Sequence, residues 1–303
     1  MRLNIGYFAD GPWAHETIKK ILKDPKILIS FICLRFDSND IILINYAKKH
    51  NIKVLKHRNI NSKEFISLIE KFNCDLFVSM SFNQIFKSKI INLAKYKIIN
   101  CHAGKLPFYR GRNVLNWALI NDEKEFGITV HYIDELIDNG NIILQKTFKI
   151  TDNDDYNTLL QRAYIECANL LYKAIKIFFK GPIKGKKQKD IHQVGFYCSK
   201  RKLGDEILNW DNKSRDIFNF VRAICAPGPS ARTYLKKREI KIHKVKMIRY
   251  APIYKCIPGV VLHKSRDGFI VKTKDTCLKV ISYECDGNIK VGDRFSLKSN
   301  LNY

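Results

Sequence analysis

The chain reads as an α/β protein: a doubly wound, mostly parallel sheet followed by a smaller β-rich domain. Three observations predict this. Over the first hundred residues, apolar runs of strand length alternate with segments of helical period. Runs such as Cys74 to Met80 are apolar almost throughout, as strands covered on both faces are. Beyond Tyr234 the pattern changes to short β segments separated by turns.

Residues 2–8 run into Ala9-Asp10-Gly11-Pro12, a first strand ending in a turn. Pro12 suits the first position of a helix over 13–23. Lys26 to Cys33 is expected as a second strand, 39–50 as a helix and Ile52 to Leu55 as a short third strand. Ser62 caps a helix over Glu64 to Lys71, and Cys74 to Met80 is a buried parallel strand. Residues 126–134 and 142–150 read as an antiparallel pair, and Asp154 to Lys180 as a long amphipathic helix. Gly181 to Gln188, rich in Gly, Pro and Lys, opens an expected linker over 181–208. A helix over Ser214 to Ile224 stops at Pro227-Gly228-Pro229. Ile240–Ile248, Val260–His263, Phe269–Thr273, Leu278–Tyr283 and Arg294–Leu297 then suit a small OB-like barrel of open Greek-key kind. The expected domains are 1–180 and 209–303.

At 303 residues with 46% hydrophobic content, the chain is long and apolar enough to bury a core. No apolar run reaches membrane-span length, and residues 1–8 lack the features of a signal peptide; a cytoplasmic protein is expected. The nine cysteines are an odd count with no two-residue spacing. Cys33, Cys74 and Cys225 lie in apolar runs and are expected to be reduced, buried thiols, and no metal is expected. The formal charge of +25 suggests nucleic acid at first sight. Its distribution argues otherwise: residues 181–303 carry 27 Lys and Arg against 11 Asp and Glu, the remainder 27 against 18. The excess is spread along the chain, as on a solvated lysine-rich exterior.

In doubly wound sheets, ligands lie beyond the carboxyl ends of the strands. Three segments fall there: Asp10 to Trp13, Ser81 to Ile85, and the loop after residues 97–100. Ala9-Asp10-Gly11-Pro12 lacks the spaced glycines of a dinucleotide site. At the third segment stands Asn100-Cys101-His102, with Asp138 lying 36 residues beyond the His. An amide can donate to a carbonyl oxygen that becomes an oxyanion. An imidazole can take the proton an amine sheds, and a carboxylate can fix the imidazole's tautomer and charge. These are the parts needed to move an acyl group onto an amine.

The surrounding sequence sharpens this. Asn100-Cys101-His102, Leu106-Pro107, Tyr109-Arg110-Gly111, Asn116-Trp117, Gly127-Ile128-Thr129-Val130-His131 and Ile137-Asp138-Asn139-Gly140 together resemble the 10-formyltetrahydrofolate-dependent formyltransferases. That family includes methionyl-tRNA formyltransferase, glycinamide ribonucleotide transformylase and the sugar N-formyltransferases of bacterial surface-glycan pathways. Pro258-Gly259-Val260-Val261 and Val291-Gly292-Asp293-Arg294-Phe295 resemble the C-terminal module of methionyl-tRNA formyltransferase. The resemblance implies that Asn100 holds the formyl oxygen, His102 accepts the amine proton, and Asp138 orients and stabilises His102. It implies direct transfer, without an acyl group on Cys101. It places the folate against Met80, Ser81, Phe82, Gln84 and Ile85 on one wall, with Asp134 and Ile137 on the other. Asp10, Trp13, Lys105, Tyr109, Arg110 and Asn113 are the candidates for the acceptor side. Arg suits phosphate by bidentate hydrogen bonding and Lys105 suits a diphosphate as a point charge; Trp13 either stacks on the acceptor or packs under the first helix. His131 is expected to be structural.

The expected acceptor is a nucleotide-linked amino sugar, because Asp10-Gly11-Pro12-Trp13 and Arg112-Asn113-Val114-Leu115-Asn116-Trp117 look like the sugar branch. The tRNA enzyme carries an Arg-rich insertion after the second strand, whereas residues 34–47 here hold one basic residue, Arg35. Charged initiator tRNA is the alternative acceptor, and a single-stranded nucleic-acid binder built on the barrel the remote one. Sugar-branch relatives imply a homodimer, and no specific nucleic-acid partner is expected.

Overall fold

The computed structural model describes residues 2–298. They fall into two compact units. The first gathers the chain up to Val114 with Phe126–Phe148 and Gln161–Cys198; the second gathers Leu115–Glu125, Lys149–Leu160 and the chain from Ser199 onward.

The first unit is built on β1 (Leu3–Ala9), α1 (Gly11–Ile21), β2 (Ile27–Leu34), α2 (Ile41–Lys49), β3 (Lys53–Lys56), α3 (Lys63–Glu70), β4 (Leu76–Met80), α4 (Ser88–Ile91) and β5 (Ile98–His102). Pro12 lies in the first turn of α1, and Ser62 caps α3 by accepting from Phe65 N at 3.2 Å, as the sequence predicts. After β6 (Arg110–Gly111) and α5 (Val114–Ile120) come β7 (Glu125–Tyr132), β8 (Ile142–Lys149) and α6 (Tyr156–Ile177). The helix expected to reach Lys180 ends in a 3₁₀ turn over Phe178–Lys180.

Seven strands form one sheet in the order β3-β2-β1-β4-β5-β7-β8. β1 to β5 run parallel and β7 joins β5 antiparallel. Every residue of β4 is buried, and only Asn4 of β1 is not fully buried. This is why β4 reads as an apolar run almost throughout, while β1 alternates at first and then runs apolar. One face holds an aromatic core around Phe8, whose ring meets Phe31, Phe77 and Phe86 edge-on at centroid distances of 5.6, 5.5 and 5.1 Å. Such offset contacts add to the burial of their area. The chain reverses direction of winding at β1 and β4, and the crevice beyond their carboxyl ends is the topological switch point.

The stretch expected to be a linker starts as part of the first unit. Lys186 and Ile142 exchange backbone hydrogen bonds of 2.8 and 2.7 Å, and β9 (Tyr197–Cys198) pairs in parallel with β6. Residues 181–198 thus form a strap, pinned to β8 at Lys186 and to β6 at Phe196 and Cys198 by backbone hydrogen bonds.

The second unit contains α7 (Ser214–Ile224), as predicted, and β10 (Ala231–Leu235), β11 (Arg238–Met247), β12 (Val261–Ser265), β13 (Gly268–Lys272) and β14 (Cys277–Cys285). These form an antiparallel sheet in the order β10-β11-β14-β13-β12. The predicted strand Arg294–Leu297 is not a strand but a short closing segment. Ser296 exchanges hydrogen bonds with Tyr234 of β10 at 2.8 and 3.1 Å, while Asp293 and Phe295 bond to Val261 and Gly259 beside β12 at 2.8 and 2.9 Å. One segment therefore bridges both sheet edges and closes the barrel around Ile240, Ile242, Phe269, Val271 and Val280. Cys33 and Cys74 are buried as expected, but Cys225 is only half-buried. Among the described residues no helix is long and apolar enough to cross a membrane.

Candidate active site

Successive strand residues face opposite ways, so Asn100 and His102 of β5 share one face and Cys101 points to the other. Cys101 accordingly lies buried, its thiol directed at the Cys167 carbonyl (3.6 Å). On the antiparallel neighbour β7, His131 stands opposite Asn100 and Thr129 opposite His102. The loop after β7 carries Asp138 over this face.

His102 Nε2 lies 2.7 Å from the Tyr109 carbonyl oxygen. A carbonyl only accepts, so Nε2 donates and the lone pair of the neutral ring sits on Nδ1. Nδ1 is 3.6 Å from Asp138 Oδ2. A proton taken up at Nδ1 thus forms beside a carboxylate, which stabilises the imidazolium. The expected division of labour changes in one respect: the orienting hydrogen bond comes from the Tyr109 backbone, and Asp138 supplies charge at a longer range.

His131, expected to be structural, belongs to the same cluster. It is 2% exposed, and its Nδ1 donates to its neighbour's carbonyl, Tyr132 O, at 2.7 Å. Its Nε2 lies 3.3 Å from Asn100 Nδ2 and 3.6 Å from Asp138 Oδ1. With Nδ1 donating, Nε2 of the neutral ring accepts, so Asn100 presents its amide nitrogen to it. One Asn100 N–H is spent on that contact; the second is left to meet a carbonyl oxygen. The register of β7 against β5 puts His131 beside Asn100; alternation along β7 gives only its face.

Burial alone would push the Asp138 carboxyl up. Positive charge on His102 and on His131, each with a ring nitrogen 3.6 Å from the carboxylate, and the Gly111 N–H (2.9 Å) outweigh it and hold the carboxyl well below the usual carboxylate range. A group depressed in the fold contributes stability that is complete above its unfolded value of about 4 and is lost as pH falls through the folded value. Urea midpoints of the parent and of Asp138→Asn are therefore expected to differ most near neutrality and to converge as the pH drops below about 4. A gap that stays constant with pH would contradict this electrostatic account.

The two backbone groups that grip the pair flank Arg110. Tyr109, at φ 56°, presents its carbonyl to His102; Gly111, at φ 92°, presents its N–H to Asp138. Gly111 lies in the left-handed region and against β9, where a Cβ would come within 2.5 Å of the Cys198 carbonyl oxygen, so no other residue fits. Arg110 was expected to bind phosphate, and the structure corrects this. It is buried, its Nε and Nη2 donate to Gln188 Oε1 (3.0 and 2.8 Å), its Nη1 donates to Val194 O (3.1 Å), and Tyr197 covers it. Tyr109 is likewise no open platform: its ring is buried edge-on against Phe196. Arg110 and Tyr109 hold the site together instead of lining it.

The other acceptor-side candidates are spread around the mouth. Asp10 is buried, accepting from Ser38 Oγ with Arg35 Nη1 3.6 Å away. Trp13 is half-buried with its ring edge-on to Tyr164. Lys105 is half-buried and Asn113 exposed. Arg35, which sequence reasoning used only as a charge count, ties three strand ends together by also donating to Ser81 Oγ at 2.9 Å.

On the other side, Met80 is buried and Phe82 packs onto Phe8 and Phe86. Gln84 is engaged with backbone, accepting from Ile60 N (3.0 Å) and donating to His57 O (2.9 Å). Asp134 caps its own loop by accepting from Leu136 N and Asn139 Nδ2. Their side chains thus shape the two loops. Exposed apolar surface is left to Ile85, Leu136 and Ile137, at 60%, 63% and 55%. The loops that carry them are tied by Ser88 N donating to Glu135 Oε1 at 3.0 Å. Among the described residues no group of His, Cys, Asp or Glu could hold a metal ion.

Residues 34–175 match the family model described as formyl transferase, and residues 201–294 the one described as formyl transferase, C-terminal domain. The methionyl-tRNA formyltransferase of Halothermothrix orenii is 32% identical over 99% of this chain and 98% of its own. Among solved structures, WlaRD, a sugar 3N-formyl transferase determined with dTDP and 5-N-formyl-THF, superposes with a TM-score of 0.70 at 23% identity, covering 92% of this chain and 98% of its own. The N-formyltransferase of Helicobacter canadensis, determined with folinic acid and dTDP-3-aminofucose, gives 0.64 at 23% identity, covering 94% and 100%.

Proposed function

The chain belongs to the formyl transferase family, and we propose that it moves the formyl group of 10-formyltetrahydrofolate onto the primary amine of a nucleotide-linked amino sugar. Asn100 directs its uncommitted N–H at the formyl oxygen, where negative charge develops as the amine adds. His102 takes the amine proton at Nδ1 and Asp138 stabilises the imidazolium that results; as the tetrahedral adduct collapses, the bond from the formyl carbon to N10 breaks and a proton goes to N10 of the departing tetrahydrofolate. The exposed side chains of Ile85, Leu136 and Ile137 suit the flat face of a pterin, which would remove them from water. Met80, Ser81, Phe82 and Gln84 give that wall its shape, and Asp134 sets the opposing loop.

The acceptor assignment rests chiefly on the connection between β2 and α2. Residues 35–40 bring one base, Arg35, together with Asp37 and Asp40, and Arg35 is already turned toward Asp10. A polyanion gains affinity by neutralising many phosphates at once; this rim offers too little positive charge for that. A sugar diphosphate needs one or two cations, for which Lys105 and the exposed Arg112 are suited. Charged initiator tRNA remains the second reading, favoured by the Halothermothrix orenii relative and by the positive excess of residues 181–303.

The test is incubation with 10-formyltetrahydrofolate and a panel of nucleotide-linked 3-amino and 4-amino sugars, beside methionyl initiator tRNA. Tetrahydrofolate release with an amino sugar and none with the tRNA is expected. Formylation of the tRNA alone would reverse the assignment.

A further inference from the structure

Gln188 lies in the stretch expected to be a linker, outside every motif, yet it is 3% exposed and makes four hydrogen bonds. Its Oε1 accepts both Arg110 bonds, and its Nε2 donates to the carbonyls of Asp138 (2.8 Å) and Gly140 (2.9 Å). A side-chain amide has two lone pairs on oxygen and two N–H groups, so its whole capacity is used. Each bond ends on a segment that grips the His102–Asp138 pair. Arg110 sits between the carbonyl that orients His102 and the N–H that meets Asp138, and the other two bonds hold the peptides of the Asp138 loop. Asp138 has φ 50°, a conformation that a non-glycine residue keeps only when its surroundings hold it there.

We propose that Gln188 is a positioning residue for formyl transfer: it locks the Asp138 loop to Arg110 and so sets the Asp138 carboxylate against His102. This rests on the reading of His102 and Asp138 as the reacting pair. The amide is required as such, because a carboxylate would keep the Arg110 bonds but turn an oxygen toward the two carbonyls.

The test is a double-mutant cycle. Gln188→Glu and Gln188→Met are each made in the parent and in Asp138→Asn, and kcat and the KM for 10-formyltetrahydrofolate are measured. In the parent, kcat is expected to fall about tenfold or more with KM nearly unchanged, since misplacement of a catalytic group by about 1 Å costs up to about a hundredfold. In Asp138→Asn the same substitutions are expected to cost nothing further. Equal factors in both backgrounds, or unchanged kcat in the parent, would overturn the proposal and leave Gln188 a packing residue. Should the Met variant fail to fold, the Glu variant, which retains its Arg110 partner, carries the cycle. The underlying reading fails separately: Asp138→Asn with full kcat sinks the catalytic pair, whereas a crippled Asp138→Asn beside normal Gln188 variants sinks only the positioning role.

Discussion

Replacing His102 by Asn lowers turnover by about 10²–10⁴-fold, the range seen when a general base is lost. Asn places an amide level with Nδ1 but has no nitrogen basic enough to take the amine proton. The loss therefore falls on kcat, with the KM for 10-formyltetrahydrofolate little changed, because the exposed apolar wall proposed for the pterin is untouched. Steady-state release of tetrahydrofolate measures it. A variant within a few-fold of the parent would take the imidazole out of the chemistry and leave Asp138 without a purpose at the site.

The substitution Gly104→Ala is expected to have a comparable effect without touching a catalytic side chain. A Cβ at this position would lie 2.4 Å from the Tyr109 carbonyl oxygen and 2.5 Å from His102 Nε2, in the middle of the hydrogen bond that orients the ring. One of the two partners has to move. The carbonyl is held by its buried neighbour Arg110, so the imidazole gives way, and a shift of about 1 Å at a reacting group costs on the order of a hundredfold. The same crowding destabilises the fold by about 1–3 kcal/mol, read as a lower thermal midpoint. Normal kcat in Gly104→Ala would mean that the Tyr109 contact does not set the ring's working position.

The sequence carried most of the framework because that framework obeys local rules. A mostly apolar run marks β4 and an alternation that turns apolar marks β1, Ser62 marks the start of α3, and Pro227-Gly228-Pro229 marks the stop of α7. The two-residue step from Asn100 to His102 already implies a shared face. Asp138 came from motif resemblance, since nothing local in a loop Asp predicts that it will fold onto a strand 36 residues back.

What stayed hidden is held together over long separations or by groups every residue possesses. The orienting partner of His102 is a backbone carbonyl, and carbonyls leave no mark in a sequence. Arg110 looked like a phosphate ligand because its motif sits near the mouth; its real partner, Gln188, is 78 residues away in a Lys-rich stretch. His131 was visible as a residue but not as a member of the cluster, because strand alternation gives the face and not the neighbour across the ladder. β6 and β9, two residues each, are too short to leave any periodicity.

In the second unit one short run, Asp293 to Ser296, pairs with both margins of the barrel sheet, while Glu206 to Leu208 covers the rest of the β10 margin through Arg232. Unpaired strand margins are where foreign chains add on, and proteins ordinarily guard each of them separately. Here one run serves part of each, so whatever frees Phe295 and Ser296 uncovers Tyr234 on one side and Gly259 on the other in the same event.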